Sequence, residues 1–329
     1  MTASDSNPRG SDALNTAQTA RELIHGGAEL FSTAGLGFHH GTDNALDEAA
    51  ALVLHALQIG YDQPGSALDR PLSGPERSRV IDLLERRVAT RAPAAYLIRE
   101  AWFAGLSFYV DERVLVPRSP LAELIEAQFI PWVEPAAVHR ILDLCTGSGC
   151  IGIACARYLP QAAVTLSDVS PAALAVARIN VARHELAERV DIVESDVFTA
   201  LAGRRYDVIV SNPPYVPAAE LAELDAEFGH EPGLGLAAGA DGLDVVVRIL
   251  RDAAGHLTPA GVLIVEVGAT QDILEARFPQ VPFMWLDFAY GGDGVFLLER
   301  GQLLQHQAVF AEAAVAREPG DPAGRKGQS

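Results

Sequence analysis

Between Arg140 and Glu299 the chain alternates apolar runs of strand length with amphipathic runs of helix length, and few folds accept that order. The runs at 140–145, 163–168, 190–195, 206–211 and 261–267 hold Val, Ile and Leu, several of them at consecutive positions. Strands covered on both faces read that way, whereas a strand with one wet face alternates. The segments between them carry helix signals at 150–158, 171–184, within 239–257, and at 270–278. Ser170 stands as an N-cap with Pro171 in the first turn. The order implies an α/β fold, a parallel sheet with helices on both faces. Two last runs, 283–288 and 294–299, are joined through Tyr290-Gly291-Gly292-Asp293 and read as an antiparallel pair. A seven-stranded, mostly parallel, Rossmann-like sheet with a terminal antiparallel hairpin is expected.

Upstream the period changes. Residues 1–17 are polar and aperiodic, as a flexible tail is. Residues 18–95 show helical periodicity, with stretches at 21–31 and 45–59. Ser73-x-x-Glu76 has the form of a capping box with Pro75 in the first turn of a third helix. This reads as a small helical domain suited to substrate recognition. Residues 96–120 switch to alternation around Gly105, a β-hairpin linker. The α/β domain then occupies 121–305, and 306–329 is read as a mostly disordered tail. His39 and His40, being adjacent, are read as surface or packing residues.

Composition narrows the function. With 25 basic against 43 acidic residues, the formal net charge is −18. Such a surface repels phosphate backbones and steers basic proteins inward, so direct nucleic-acid binding is not expected. No apolar run reaches the ~18–20 residues of a membrane span, and the first residues lack a secretory pattern. Cys145, Cys150 and Cys155 match no metal or redox spacing, so no metal is expected, and they read as core residues in a reducing cytoplasm.

Two constellations carry chemistry. The first follows the first strand: Asp143, Thr146, Gly147, Ser148 and Gly149 form a glycine turn that opens a helix. Backbone N–H groups there can approach a ligand closely. Asp168 ends the second strand, where a carboxylate accepts ribose hydroxyls. Asp196 ends the third, placed for an exocyclic adenine amine, with Phe198 near enough to pack on the adenine ring. These residues describe an adenosine-bearing ligand. Gly147, Gly149 and Gly152 with Asp168 also satisfy the dinucleotide fingerprint, so a nicotinamide dehydrogenase is a rival. The second constellation is Asn212-Pro213-Pro214-Tyr215. Two prolines cannot continue a ladder, so the chain leaves the sheet at Asn212, at the carboxyl end of the fourth strand. The Asn212 side chain, the Pro213 carbonyl and the Tyr215 ring would grip a planar –NH2 group. Enzymes that this chain resembles at these four residues methylate such a group in a glutamine amide or in the exocyclic amine of adenine in nucleic acid.

These residues resemble the class I S-adenosylmethionine methyltransferases that carry Asn-Pro-Pro-Tyr, and more narrowly the protein-glutamine N5-methyltransferases. The likeness extends over residues 20–305. It includes FHHGTDNALDEA (38–49), YVDERVLVPRSPLAEL (109–124), DLCTGSGCIGIACA (143–156), SNPPYV (211–216), HEPGLGLAAGADGL (230–243) and GGDGVFLL (291–298). The branch acting on peptide release factors usually has Pro-Arg-Pro-Asp-Thr-Glu, and a glycine where this chain has Cys145. Here Arg118 is followed by Ser119-Pro120, which points to the branch acting on the third large-subunit ribosomal protein. The resemblance implies S-adenosylmethionine as co-substrate, held at Asp143, Thr146, Gly147, Ser148, Gly149, Asp168, Asp196, Phe198 and Asn212. It also implies a basic ribosomal protein as partner. Asn212, Pro213 and Tyr215 are its expected catalytic residues, and together with Pro214 they would bind the substrate.

Overall fold

The computed structural model describes residues 14–60, 62–63, 65–221 and 223–315. The chain divides into two compact units. One runs up to Arg118 and takes in Leu224–Pro232; the other holds Ser119–Glu223 and resumes at Gly233.

The first unit is built on α1 (Ala20–Thr33), α2 (Ala45–Leu57), α3 (Gly74–Thr90) and α4 (Ala94–Ile98). Thr19 with Glu22, and Ser73 with Glu76, close reciprocal capping boxes at the starts of α1 and α3. Leu23, Phe31, Leu52, Val53, Val80 and Leu84 form the core of the unit. That core begins inside the stretch expected to be a tail, because Leu14 and Ala17 are buried in it. Gly26 gives Leu14 its place, since a Cβ there would lie 3.0 Å from the leucine Cδ2. Residues 1–13 lie outside the described residues. The hairpin β1 (Ala101–Phe103) and β2 (Leu106–Phe108) turns through Ala104 and Gly105, both at positive φ. That geometry matches the twist of a two-residue hairpin.

Leu224–Pro232 is held in this unit by charge. Arg87, with no exposed surface, donates to Glu48 at 2.6 Å and to the Gly37 carbonyl at 3.1 Å. Its guanidinium also lies 3.5 Å from Glu227. Glu227 accepts the Gly37 N–H at 3.1 Å and pairs with Arg91 at 2.9 Å. Burial pushes its carboxyl up, but the Gly37 amide and Arg91 outweigh that and hold it below the usual range. Glu231 accepts both arms of Arg118 at 2.6 Å and the Val116 N–H at 3.0 Å. His40 is a packing residue, as its neighbourhood in the sequence suggests: it is buried, 4.6 Å from the Phe228 ring and 3.6 Å from Glu231.

The second unit is an α/β sandwich. Among the described residues its sheet has seven strands, ordered β5-β4-β3-β6-β7-β9-β8. They are β3 (Arg140–Leu144), β4 (Ala163–Asp168), β5 (Val190–Glu194), β6 (Tyr206–Ser211), β7 (Leu257–Glu266), β8 (Met284–Trp285) and β9 (Val295–Glu299). The first five are parallel and β9 is antiparallel to β7 and β8, which is the expected Rossmann-like sheet and terminal hairpin. Helices α5 (Leu121–Glu126), α6 (Cys150–Tyr158), α7 (Pro171–Arg183), α8 (Asp244–His256) and α9 (Gln271–Arg277) accompany the strands. The central strands are buried throughout at Ile141–Leu144 and Val208–Ser211, as strands covered on both faces must be. Beyond β9 the chain continues into α10 (Arg300–Gln305) and α11 (Gln307–Val315). The latter lies at the start of the stretch read as a mostly disordered tail: Phe310 and Ala314 are buried against the core beside α8, and Phe278 meets Phe310 edge to face at 5.4 Å. Residues 316–329 lie outside the described residues. No described helix is long and apolar enough to cross a membrane.

Candidate active site

The strand order reverses at β3, which separates β4 and β5 on one side from β6 and β7 on the other. Crevices at the carboxyl ends beside such a point bind ligands. The glycine turn lies there. Cys145, Gly147 and Gly149 all have positive φ, at 58°, 54° and 83°. For the two glycines this conformation is free; for Cys145 it is strained. Gly152 lets α6 lie close to β4, since a Cβ would come 2.1 Å from Leu166 Cδ2. The turn is tied from outside by Asn180 of α7, which donates to the Ser148 carbonyl at 2.9 Å.

Asp143 and Thr146 form the floor of this turn. The Thr146 hydroxyl and the Gly152 N–H both donate to Asp143 Oδ2, at 2.5 and 2.9 Å. The other oxygen, Oδ1, has no hydrogen-bond partner among the described residues although the side chain is fully buried. Burial pushes the carboxyl up to about 7 against those two hydrogen bonds. Asp168 is fixed by two amides: Gly147 N–H on Oδ2 and Ser170 N–H on Oδ1, each at 2.9 Å. Burial still raises its carboxyl above the ordinary value. Each oxygen keeps a second lone pair, so the carboxylate is held in one orientation with capacity for two more donors.

At the end of β5 the geometry differs from the sequence expectation. Asp196 is half-exposed and pairs with Arg248 at 2.7 Å through Oδ2. Phe198 does not face the crevice with it. Its ring is buried and stacks on His256 at 4.5 Å, so it belongs to the core beneath α8 rather than to an adenine wall. A tight turn explains this: the Ser195 hydroxyl donates to the Val197 carbonyl and accepts the Ala200 N–H, which swings Phe198 inward. Val197 is left at φ 50°, a position a β-branched residue takes only under strain.

β6 delivers the second constellation. The Ser211 hydroxyl donates to the Leu144 carbonyl at 2.7 Å and ties the ends of β6 and β3 together. Asn212 follows, half-buried, and among the described residues its side chain makes no hydrogen bond. Pro213 is buried, and no described backbone N–H donates to its carbonyl. Pro214 and Tyr215 are half-buried. Two glycines crowd Tyr215. A Cβ on Gly242 would lie 2.3 Å from its carbonyl oxygen, and one on Gly268 would lie 2.8 Å from its ring. The Tyr215 hydroxyl donates to Glu266 at 3.3 Å. Sequence reasoning missed Glu266, Gly242 and Gly268. Glu266 was discoverable as a third acid ending a buried strand, in the manner of Asp168.

Residues 127–227, which hold the glycine turn, Asp168, Asp196 and Asn212–Tyr215, match the family model "Methyltransferase small domain". The chain is 50% identical over 305 residues to a protein of Xanthomonas campestris pv. campestris named ribosomal protein uL3 glutamine methyltransferase. The match covers 93% of this chain and 99% of that relative. This chain belongs to the uL3 glutamine methyltransferase family. A family member of the same name from Xylella fastidiosa (strain Temecula1) is 50% identical over 94% of this chain and 98% of its own length. The Francisella tularensis member is 44% identical over 91% and 96%. Methyl transfer is the chemistry of this family, and the strand order described above is the frame on which it is carried out.

Proposed function

We propose that the chain transfers a methyl group from S-adenosylmethionine to the side-chain amide nitrogen (N5) of a glutamine in ribosomal protein uL3, the third large-subunit protein. The observation that carries this reading is a pair of acceptors at the carboxyl end of β6 that take no hydrogen bond from the described residues: the Asn212 side chain and the Pro213 carbonyl. A primary amide has two N–H groups in one plane, and two rigid acceptors next to each other suit that group.

The residues fit the donor. Asp168, pinned by two amides, accepts the ribose hydroxyls with its remaining lone pairs. Asp143 Oδ1, buried and without a partner, gives the turn an acceptor for a cationic group, and Asp196 Oδ1 remains open to an adenine amine. The donor supplies a methyl on a positively charged sulfur, which the amide nitrogen displaces.

An amide nitrogen is a poor nucleophile because its lone pair is delocalised into the carbonyl. Asn212 Oδ1 and the Pro213 carbonyl each accept one N–H, which fixes the amide plane and turns the lone pair toward the methyl group. Positioning of this kind is worth up to ~7–11 kcal/mol. The two acceptors also stabilise the positive charge that develops on nitrogen. The proton leaves to water after transfer, so no strong base is needed, and the Tyr215 ring walls the glutamine side chain. A ribosomal-protein substrate puts the enzyme in the cytoplasm.

The test is intact-mass spectrometry of uL3 and of a peptide release factor after incubation with enzyme and S-adenosylmethionine. One methyl increment on uL3, mapped to a glutamine, is expected. Asn212→Ala should lose about 10²–10³ in kcat while S-adenosylhomocysteine binding stays intact. An increment on the release factor alone overturns the substrate; equal loss of transfer and donor binding in Asn212→Ala overturns the role of Asn212.

A further inference from the structure

Glu266 is the last residue of β7, beside the strand that carries the acceptors. β6 and β7 run parallel with Ser211 opposite Val265, so the next step along each strand brings Asn212 and Glu266. Glu266 is only 4% exposed. Its two oxygens are divided between two hydroxyls. The Ser119 hydroxyl donates to Oε2 at 2.5 Å, and the Tyr215 hydroxyl donates to Oε1 at 3.3 Å. Ser119 is itself anchored, since its hydroxyl oxygen accepts the N–H of Leu121 at the start of α5. A chain of contacts therefore runs from α5 through Ser119 and Glu266 to the tyrosine of the motif.

We propose that Ser119 and Glu266 are positioning residues for the methyl-accepting glutamine, acting through Tyr215. The inference rests on the reading of Tyr215 as a wall of the glutamine site. Three contacts fix that wall, each on a different part of the residue. Gly242 lies against its carbonyl, Gly268 lies against its ring, and Glu266 holds its hydroxyl. The two glycines admit Tyr215 but do not select its ring rotation; a directional bond to a charged acceptor does. Glu266 in turn needs a fixed orientation, because a carboxylate free to rotate would not hold the ring. The shorter bond from Ser119 provides it. The two hydrogen bonds also offset the cost of burying the polar side chain beside the site. The side chain of Glu266 serves as an acceptor that orients the Tyr215 hydroxyl and does not take the substrate proton, which leaves to water.

The chain of contacts predicts non-additive kinetics. Ser119→Ala and Tyr215→Phe should each lower kcat with uL3 about 10-fold, within the range that a small misplacement costs, with S-adenosylhomocysteine affinity changed less than about 2-fold. The double variant Ser119→Ala/Tyr215→Phe should be no slower than Tyr215→Phe alone, because Ser119 acts only through the tyrosine hydroxyl. Ser119→Thr, which keeps a hydroxyl, should recover most of the loss, and Glu266→Gln should be slowed at all pH values without loss of a pH-dependent limb. Losses that add in the double variant overturn the proposal, as does donor affinity that falls in step with kcat. A pH limb that disappears in Glu266→Gln would instead make Glu266 a base. Melting curves of each variant separate misfolding from slow turnover. If the wild-type protein adds no methyl to a glutamine, the functional reading fails; if it does and the losses add, only this inference fails.

Discussion

At the scale of single residues, the site is a set of side chains whose ordinary behaviour has been altered by burial. Asp143 is the extreme case. Its carboxyl is pushed up to about 7, so in the absence of ligand it is largely protonated below that pH. A folded-state carboxyl raised in this way costs stability as pH rises from the ordinary carboxylate range to about 7, because over that range the unfolded chain releases the proton and the folded protein keeps it. A cationic group at Oδ1 reverses the balance by favouring the carboxylate. Binding of S-adenosylhomocysteine should therefore release a proton at pH 6 to 7 and strengthen with pH through that window. Calorimetry in two buffers of different ionisation enthalpy measures this release, and Asp143→Asn should abolish it. Equal proton release from Asp143→Asn would remove Asp143 from the donor site. The acids proposed for the donor could be singled out from the sequence because each ends a strand or opens a turn, positions marked by local pattern. Glu266 was not singled out, since its meaning comes from Ser119 and Tyr215, which are 147 and 51 residues away. The placement of Phe198 is left open by local pattern because an aromatic ring two residues past an acid can point either way; in the structure it lies against His256, beside the Ser195 turn.

At the scale of elements, the parallel strands and their helices were nearly all visible, since period and capping are local properties. Cys150–Tyr158, Ala163–Asp168 and Tyr206–Ser211 appear within the bounds that sequence pattern sets. The fate of Leu224–Pro232 was not visible. Nothing local marks nine residues of a loop as part of a helical unit some hundred residues upstream; their partners Arg87, Arg91, Arg118 and His40 are known only from the fold. The buried histidine gives this element a pH signature. Burial above all pushes His40 down to about 4, with Glu231 opposing, so the folded unit keeps it neutral. The unfolded chain takes up a proton near pH 6.5, which means that the histidine's contribution to stability falls as pH drops from about 6.5 to about 4, by at most about 3.5 kcal/mol. Asp143 and Asp168 act in the opposite sense over the same range, so the histidine's share is read as a difference: in denaturant unfolding, the unfolding free energy of the wild type should fall relative to that of His40→Phe as pH drops from about 6.5 to about 4. An unchanged slope in His40→Phe would assign the pH dependence to other groups, His256 first among them, since burial lowers it as well.

At the scale of the whole molecule, the governing quantity is charge. A formal net charge of −18 has no bearing on the order of the strands, and was readable from composition alone. It bears on encounter. Ion pairs within the fold neutralise particular acids such as Glu227 and Glu231, yet they leave the balance of 25 basic and 43 acidic residues unchanged. The remaining field extends about a Debye length, some 8–10 Å at ordinary salt, and would attract the basic substrate protein proposed here before any contact forms. Attraction of this kind acts on association and not on the positioned amide. Raising salt from about 50 to about 300 mM should therefore lower kcat/KM for uL3 several-fold while kcat at saturation holds nearly constant. A short uncharged peptide carrying the same glutamine should show no such salt effect, because it has no charge for the field to act on. If kcat/KM for uL3 is also insensitive to salt, the acidity serves solubility alone, and recognition must reside in short-range contacts around Asn212 and Tyr215.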